Sequence, residues 1–188
     1  SDNKAVLTYL RRTDQAQIRH IQDRVHICAA KRGDADAIHL DLKLLKELPD
    51  LLREGNHCLR CLAFQEAEHW RLVAIQKSED PTPMTGLAVD LGTSRVVMRL
   101  IDLLDGATLA ESSFDNPQIQ VGADILARIH ATEDVGGLEN LNGLIIAAIN
   151  RKASQMTRSV GLTGRAIHLV SLAGNTTMTH LFMGLPPR

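Results

Sequence analysis

The residues best suited to chemistry lie in Gly86-Leu87-Ala88-Val89-Asp90-Leu91-Gly92-Thr93-Ser94, an apolar run that ends in an aspartate and a glycine turn with hydroxyl side chains. That order suits phosphate. Glycine lets the backbone turn tightly, so that successive N–H groups converge on anionic oxygens. Thr93 and Ser94 add donors, and Asp90 can hold a magnesium-bound water as the metal-side and catalytic carboxylate. The pattern Asp-x-Gly-x-Ser/Thr alone arises by chance in about one chain of this length in ten, so a plain turn capped by Asp90 stays open.

Two further stretches have the same character. Phe114-Asp115-Asn116-Pro117-Gln118-Ile119-Gln120-Val121-Gly122-Ala123-Asp124 runs from an apolar segment toward a helix. Asn116 and Gln118 could line a ligand cleft from a loop stiffened by Pro117, or the segment could be an ordinary loop with an acid at a helix N-terminus. Ser171-Leu172-Ala173-Gly174-Asn175-Thr176-Thr177-Met178-Thr179-His180 is again a strand, a glycine turn and a helix. Asn175 or Thr176 can cap that helix, or present amide and hydroxyl to a ligand beside Asp90, since both turns follow strand ends. Cys58 and Cys61 form a C-x-x-C between His57 and His69. It lacks the second ligand pair of a closed metal site, and strand positions three apart point to opposite faces, so we read these cysteines as structural. His26 with Cys28, and His130, His168 and His180, offer no further cluster.

These candidates need elements to position them. Two prolines and three charges in Lys77-Ser78-Glu79-Asp80-Pro81-Thr82-Pro83 mark an interdomain linker, dividing the chain into residues 1–83 and 84–188. Before it, Ala5 to Leu10, Ala37 to Leu42, Cys58 to Phe64 and Trp70 to Ile75 read as strands, the last two as a hairpin. Lys43 to Glu54 reads as a helix with Leu44, Leu45, Leu48, Leu51 and Leu52 on one face, Pro49 as a kink or break, and Gly55 as its C-cap. After the linker, Thr85 to Leu91, Val96 to Leu103 and Thr108 to Phe114 form a meander, with Asp105-Gly106 as a hairpin turn. Helices at about Ala123 to His130 and Leu138 to Thr157, a strand at Ile167 to Ala173 and a helix at about Thr176 to Phe182 complete the order. The fold class is α/β: a small mixed module, then a ribonuclease-H-like half-domain. The 188 residues, 44% of them hydrophobic, can bury such cores. A net charge of −1 argues against nucleic-acid binding. No apolar stretch approaches the ~20 residues of a membrane span. Three cysteines, and a Ser1-Asp2-Asn3-Lys4 start without a signal pattern, lead us to expect a reducing, cytoplasmic setting.

Taken together and in this order, GLAVDLGTS, NPQIQVGADILARI and AGNTTMTHLFMGLPP resemble the ATP-dependent reductive activators of corrinoid proteins. The resemblance is close over residues 84–188 and loose over residues 1–83, which would be the family's middle domain. It implies that residues 84–188 are the first half of an actin-like (ASKHA) ATPase domain. The second half, and an N-terminal 2Fe–2S domain, would lie outside this chain. It implies ATP and magnesium as cofactors, a cobalt(II) corrinoid protein as partner, and a homodimer. Asp90, Gly92, Thr93 and Ser94 would meet phosphates and magnesium, while Asn116, Gln118, Gly174, Asn175 and Thr176 line the cleft. Arg95 departs from the threonine usual there, and would either pair with phosphate or alter the turn. The rival readings are a small-molecule kinase of the same superfamily and an interaction or dimerisation module. With one lobe of a two-lobed cleft, the isolated chain is expected to be inactive.

Overall fold

The computed structural model describes residues 38–66, 69–163 and 166–187. The expected strand at Ala5 to Leu10, and His26 and Cys28, lie outside these residues. The described chain divides into two compact units, one ending at Met84 and the other running from Thr85.

In the first unit β1 (Ile38–Leu40) leads into helix α1 (Leu42–Glu54), followed by β2 (Leu59–Glu66) and β3 (His69–Lys77). The strands pair in the order β1-β3-β2, with β2 antiparallel and β1 parallel to β3. The expected hairpin is therefore present, with a register shift between Leu62 and Ala63. Leu48, Leu59, Cys61 and Leu72 form its buried core, against which Leu44, Leu51, Leu52 and Ile75 pack. The apolar face of α1 is narrower than its leucines suggested: Leu45, at the edge of the stripe, is 52% exposed. Helix α1 runs through Pro49 as one element. Gly55 does cap it, with φ −91°, and the left-handed residues are Asn56 and His57 instead. Glycine is required at position 55 by crowding, since a Cβ there would lie 2.9 Å from the Cys58 carbonyl oxygen.

The second unit opens with β4 (Thr85–Leu91), β5 (Arg95–Asp102) and β6 (Thr108–Asp115). Asp105-Gly106 makes the second turn, with Gly106 at φ 77°. A 3-10 turn (Pro117–Gln120) and helices α2 (Ile125–Ala131) and α3 (Gly137–Ser159) follow, then β7 (Ile167–Gly174) and helix α4 (Thr176–Met183). The second sequence stretch thus enters a tight turn before its helix, which starts later than expected and is capped by the Asp124 carboxylate on Ala127 N–H at 2.8 Å.

Strand order is β6-β5-β4-β7, antiparallel throughout the meander and parallel between β4 and β7. β4 is central and almost wholly buried, which is why its sequence is a continuous apolar run. One face of the sheet supplies Leu87, Val89, Leu91, Val96, Met98 and Leu100, and α3 and α4 cover it with Leu141, Ile145, Ile149, Met156, Met178 and Leu181. Fixed register on a buried face aligns strand ends. Leu91 stands beside Gly174, so the turns after β4 and β7 emerge side by side.

Candidate functional site

Asp90 is the single half-buried residue of β4, set between Val97 of β5 and Ala173 of β7. Its carboxylate has no hydrogen bond or ion pair among the described residues, so it does not cap the turn. The chain reverses at Gly92-Thr93-Ser94. Gly92 sits where nothing larger fits, because a Cβ would fall 2.3 Å from the Arg95 carbonyl oxygen.

The carbonyls of this turn point into the protein. Asn116 Nδ2 donates to the Gly92 carbonyl at 2.9 Å, the Asn116 N–H donates to the Ser94 carbonyl at 2.9 Å, and Arg128 Nη2 donates to the Thr93 carbonyl at 2.7 Å. In a trans peptide the C=O and the following N–H point in opposite directions, and no bond here is cis. The N–H groups of Thr93 and Ser94 are therefore turned away from the interior, and among the described residues neither has an acceptor. Two adjacent outward N–H donors beside an exposed serine hydroxyl are a donor set that can receive an anion.

Asn175 joins the turn from β7. Its Oδ1 accepts from Met178 N–H at 2.9 Å, capping α4, while its Nδ2 donates to Thr93 Oγ1 at 3.2 Å. Capping and facing the neighbouring turn, set against each other in the sequence, are performed by opposite ends of one amide. Gly174 and Thr176 flank it, both exposed. So Asp90, Gly92, Thr93, Ser94, Gly174, Asn175 and Thr176 gather at one end of the sheet.

Asn116 and Gln118 lie beneath this group and are buried, at 1% and 0% exposure. Asn116 Oδ1 accepts from the Gln118 N–H at 3.0 Å, and Gln118 Nε2 donates to the Leu141 carbonyl at 2.9 Å. Their amides are committed to the protein and shape the turn from inside. Arg95 turns along β6, donating to Ser113 Oγ at 2.7 Å with Asp115 3.7 Å away.

The residue that sequence reasoning missed is Arg128, one of the largest fully buried side chains. An arginine on a short helix reads as a solvated charge, and only the fold shows it reaching Thr93. Cys61 lies in the first unit's core, where burial pushes its thiol up to about 11, while Cys58 is exposed. Among the described residues no three His, Cys, Asp or Glu side chains converge on a metal position, and no helix is long and apolar enough to cross a membrane.

A relative described as "Corrinoid activation enzyme RamQ" from Eubacterium limosum is 32% identical over 115 residues, covering 61% of this chain and 19% of its own. A solved structure described as "Reductive activator for corrinoid,iron-sulfur protein" superposes with a TM-score of 0.71 at 31% identity, over 81% of this chain and 24% of that one. The chain thus spans about a fifth to a quarter of the length of these relatives. The family model described as "RACo middle region" matches residues 85–188. With more than half of its length matched in this way, the chain belongs to the RACo middle region family.

Proposed function

We propose that this chain is part of an ATP-dependent reductive activator that returns a cobalt(II) corrinoid protein to cobalt(I), and that the turn at Gly92–Ser94 holds the nucleotide's phosphates. The observation that carries the site is the pair of unspent N–H groups on Thr93 and Ser94, presented outward beside the unpartnered Asp90 carboxylate. The donor set fits polyphosphate with magnesium. Thr93 and Ser94 would take phosphate oxygens on N–H and hydroxyl, and Asn175 and Thr176 would close the adjacent side. A single carboxylate suits a metal that keeps most of its waters, so Asp90 would hold magnesium through water. A meander whose central strand is joined in parallel by β7 is the order of a ribonuclease-H-like half-domain, which supports reading residues 84–188 as the first half of an actin-like ATPase domain.

When bound, ATP with magnesium supplies the free energy for an electron transfer that ordinary donors cannot drive. This chain's own residues contribute positioning and preorganised charge, as in other phosphoryl transfers. The donating 2Fe–2S cluster belongs, on this proposal, to a domain outside the chain, and the corrinoid protein is the partner. A cytoplasmic homodimer completes the proposal.

The test replaces Asp90 by Asn in the protein of full natural length and follows cobalt(I) formation spectroscopically with a supplied reductant, with and without ATP. The ATP-dependent rate should fall by about a hundredfold or more, the scale on which one preorganised contact acts. Binding of the cobalt(II) partner without nucleotide should not change. Undiminished ATP dependence in the variant would remove the phosphate-site assignment.

A further inference from the structure

Arg128 carries a charge that the protein around it does not balance. It is fully buried, at 0% exposure. Nε donates to the Gly122 carbonyl at 2.9 Å, Nη1 to Gln118 Oε1 at 3.3 Å with Met178 Sδ at 3.2 Å, and Nη2 to the Thr93 carbonyl at 2.7 Å. These partners are neutral. Among the described residues no carboxylate lies within ion-pair distance of it. Asp124 acts on it only from further off, and its carboxylate caps α2. Burying a cation without a counter-ion is costly, so the charge of Arg128 calls for a role that a neutral residue could not fill.

The position of the guanidinium says where that charge belongs. It grips the inner side of the Thr93–Ser94 peptide, whose outer side is the free Ser94 N–H. Pulling on the carbonyl fixes the plane of the peptide and polarises it, so the N–H is both aimed and strengthened as a donor. An apolar side chain could fill the same space without doing either.

We infer that Arg128 is the positioning residue of an anion-binding turn: it holds the Ser94 N–H outward and carries the positive charge that a polyphosphate on the open face balances. This rests on the phosphate-site reading above, and it differs from a packing role in that the charge itself matters.

The experiment uses the protein of full natural length and measures binding of inorganic tripolyphosphate and of ATP by calorimetry, for the wild type, Arg128→Lys, Arg128→Met, Asp90→Asn and Ser94→Ala. Tripolyphosphate affinity should fall at least tenfold in Arg128→Met and recover in part in Arg128→Lys, which keeps the charge but loses the fork. Wild-type binding should also weaken as salt is raised, more steeply than in Arg128→Met. Equal loss in the Lys and Met variants, or no loss in Met, would reduce Arg128 to packing and overturn the inference. If the wild type does not bind tripolyphosphate, or Ser94→Ala and Asp90→Asn leave binding untouched, the phosphate site fails and takes the inference with it. Should Arg128→Met not fold, the guanidinium resonances of wild-type Arg128 are followed by NMR during titration with tripolyphosphate. A saturable shift is expected, and its absence would overturn the inference.

Discussion

Replacing Gly92 by Ala tests the rigidity on which the site depends. The added Cβ would stand 2.3 Å from the Arg95 carbonyl oxygen, against ordinary contact distances that begin at 3.4 Å. The obstacle is backbone on both sides, so the turn itself must open by about 1 Å, since no flexible side chain can swing away. Overpacking of this kind costs about 1–3 kcal/mol. The same movement stretches the 2.9 Å bond from Asn116 Nδ2 to the Gly92 carbonyl, and leaving that buried amide unpaired costs about 1–3 kcal/mol more. Because one displacement causes both, we expect a loss of about 2–4 kcal/mol, together with loss of nucleotide binding. The chain has one tryptophan, Trp70, and it lies in the other unit, so fluorescence would miss the effect. Native-state hydrogen exchange of β4 and β5 amides reports on the right unit. Gly143→Ala is the control: it is an exposed position inside α3 with nothing within 4 Å of an added Cβ, and it should stabilise the unit by about 0.5–1 kcal/mol. If β4 and β5 exchange in Gly92→Ala as in the wild type while the control behaves as stated, the turn is pliable and the argument from close approach is wrong.

Three other outcomes are expected. Alkylation of the native chain at pH 8, mapped by mass spectrometry, should modify exposed Cys58 well before Cys61, whose thiol is held up at about 11 by burial, and equal rates would contradict the core placement. Burial lowers the His168 pKa below its ordinary 6.5, so the neutral form is favoured in the folded state. The resulting stability is fully present above pH ~6.5 and is lost as pH falls through the depressed folded value. His168→Gln should flatten that part of the stability–pH curve, and an unchanged curve would dismiss the histidine as its source. The 188-residue chain alone should bind magnesium-ATP weakly and show no turnover by calorimetry, because such sites close two lobes on the nucleotide. Tight binding would mean that the pocket is complete within these residues.

What could be read from the residues was whatever local pattern determines. The apolar run through Val89, the Asp105-Gly106 turn and the three- and four-residue spacing in α1 each report a backbone period or a turn type, and the described strands and helices fall close to where those signals put them. The gathering of Asp90, Gly92–Ser94 and Asn175 was legible for a related reason: each follows a strand end, and parallel neighbours bring such ends together. The inward direction of Asn116 and Gln118 was not legible. An amide in a loop has the same sequence signature whether it faces a ligand or a peptide carbonyl, and only the packing of the 3-10 turn against α3 decides. Arg128 was harder still, since its partners lie 35, 10, 6 and 50 positions away along the chain. That distance in sequence has a functional side. One guanidinium ties the turn after β4 to the Gln118 turn, to the approach to α2 and to α4, so on the proposed function a phosphate that tightens the Thr93 peptide would act on all of them at once. If the turn holds phosphate as proposed, a shared cation suits it, because Asn175 links Thr93 to α4 alone whereas Arg128 joins the same turn to α2, the Gln118 turn and α4 together.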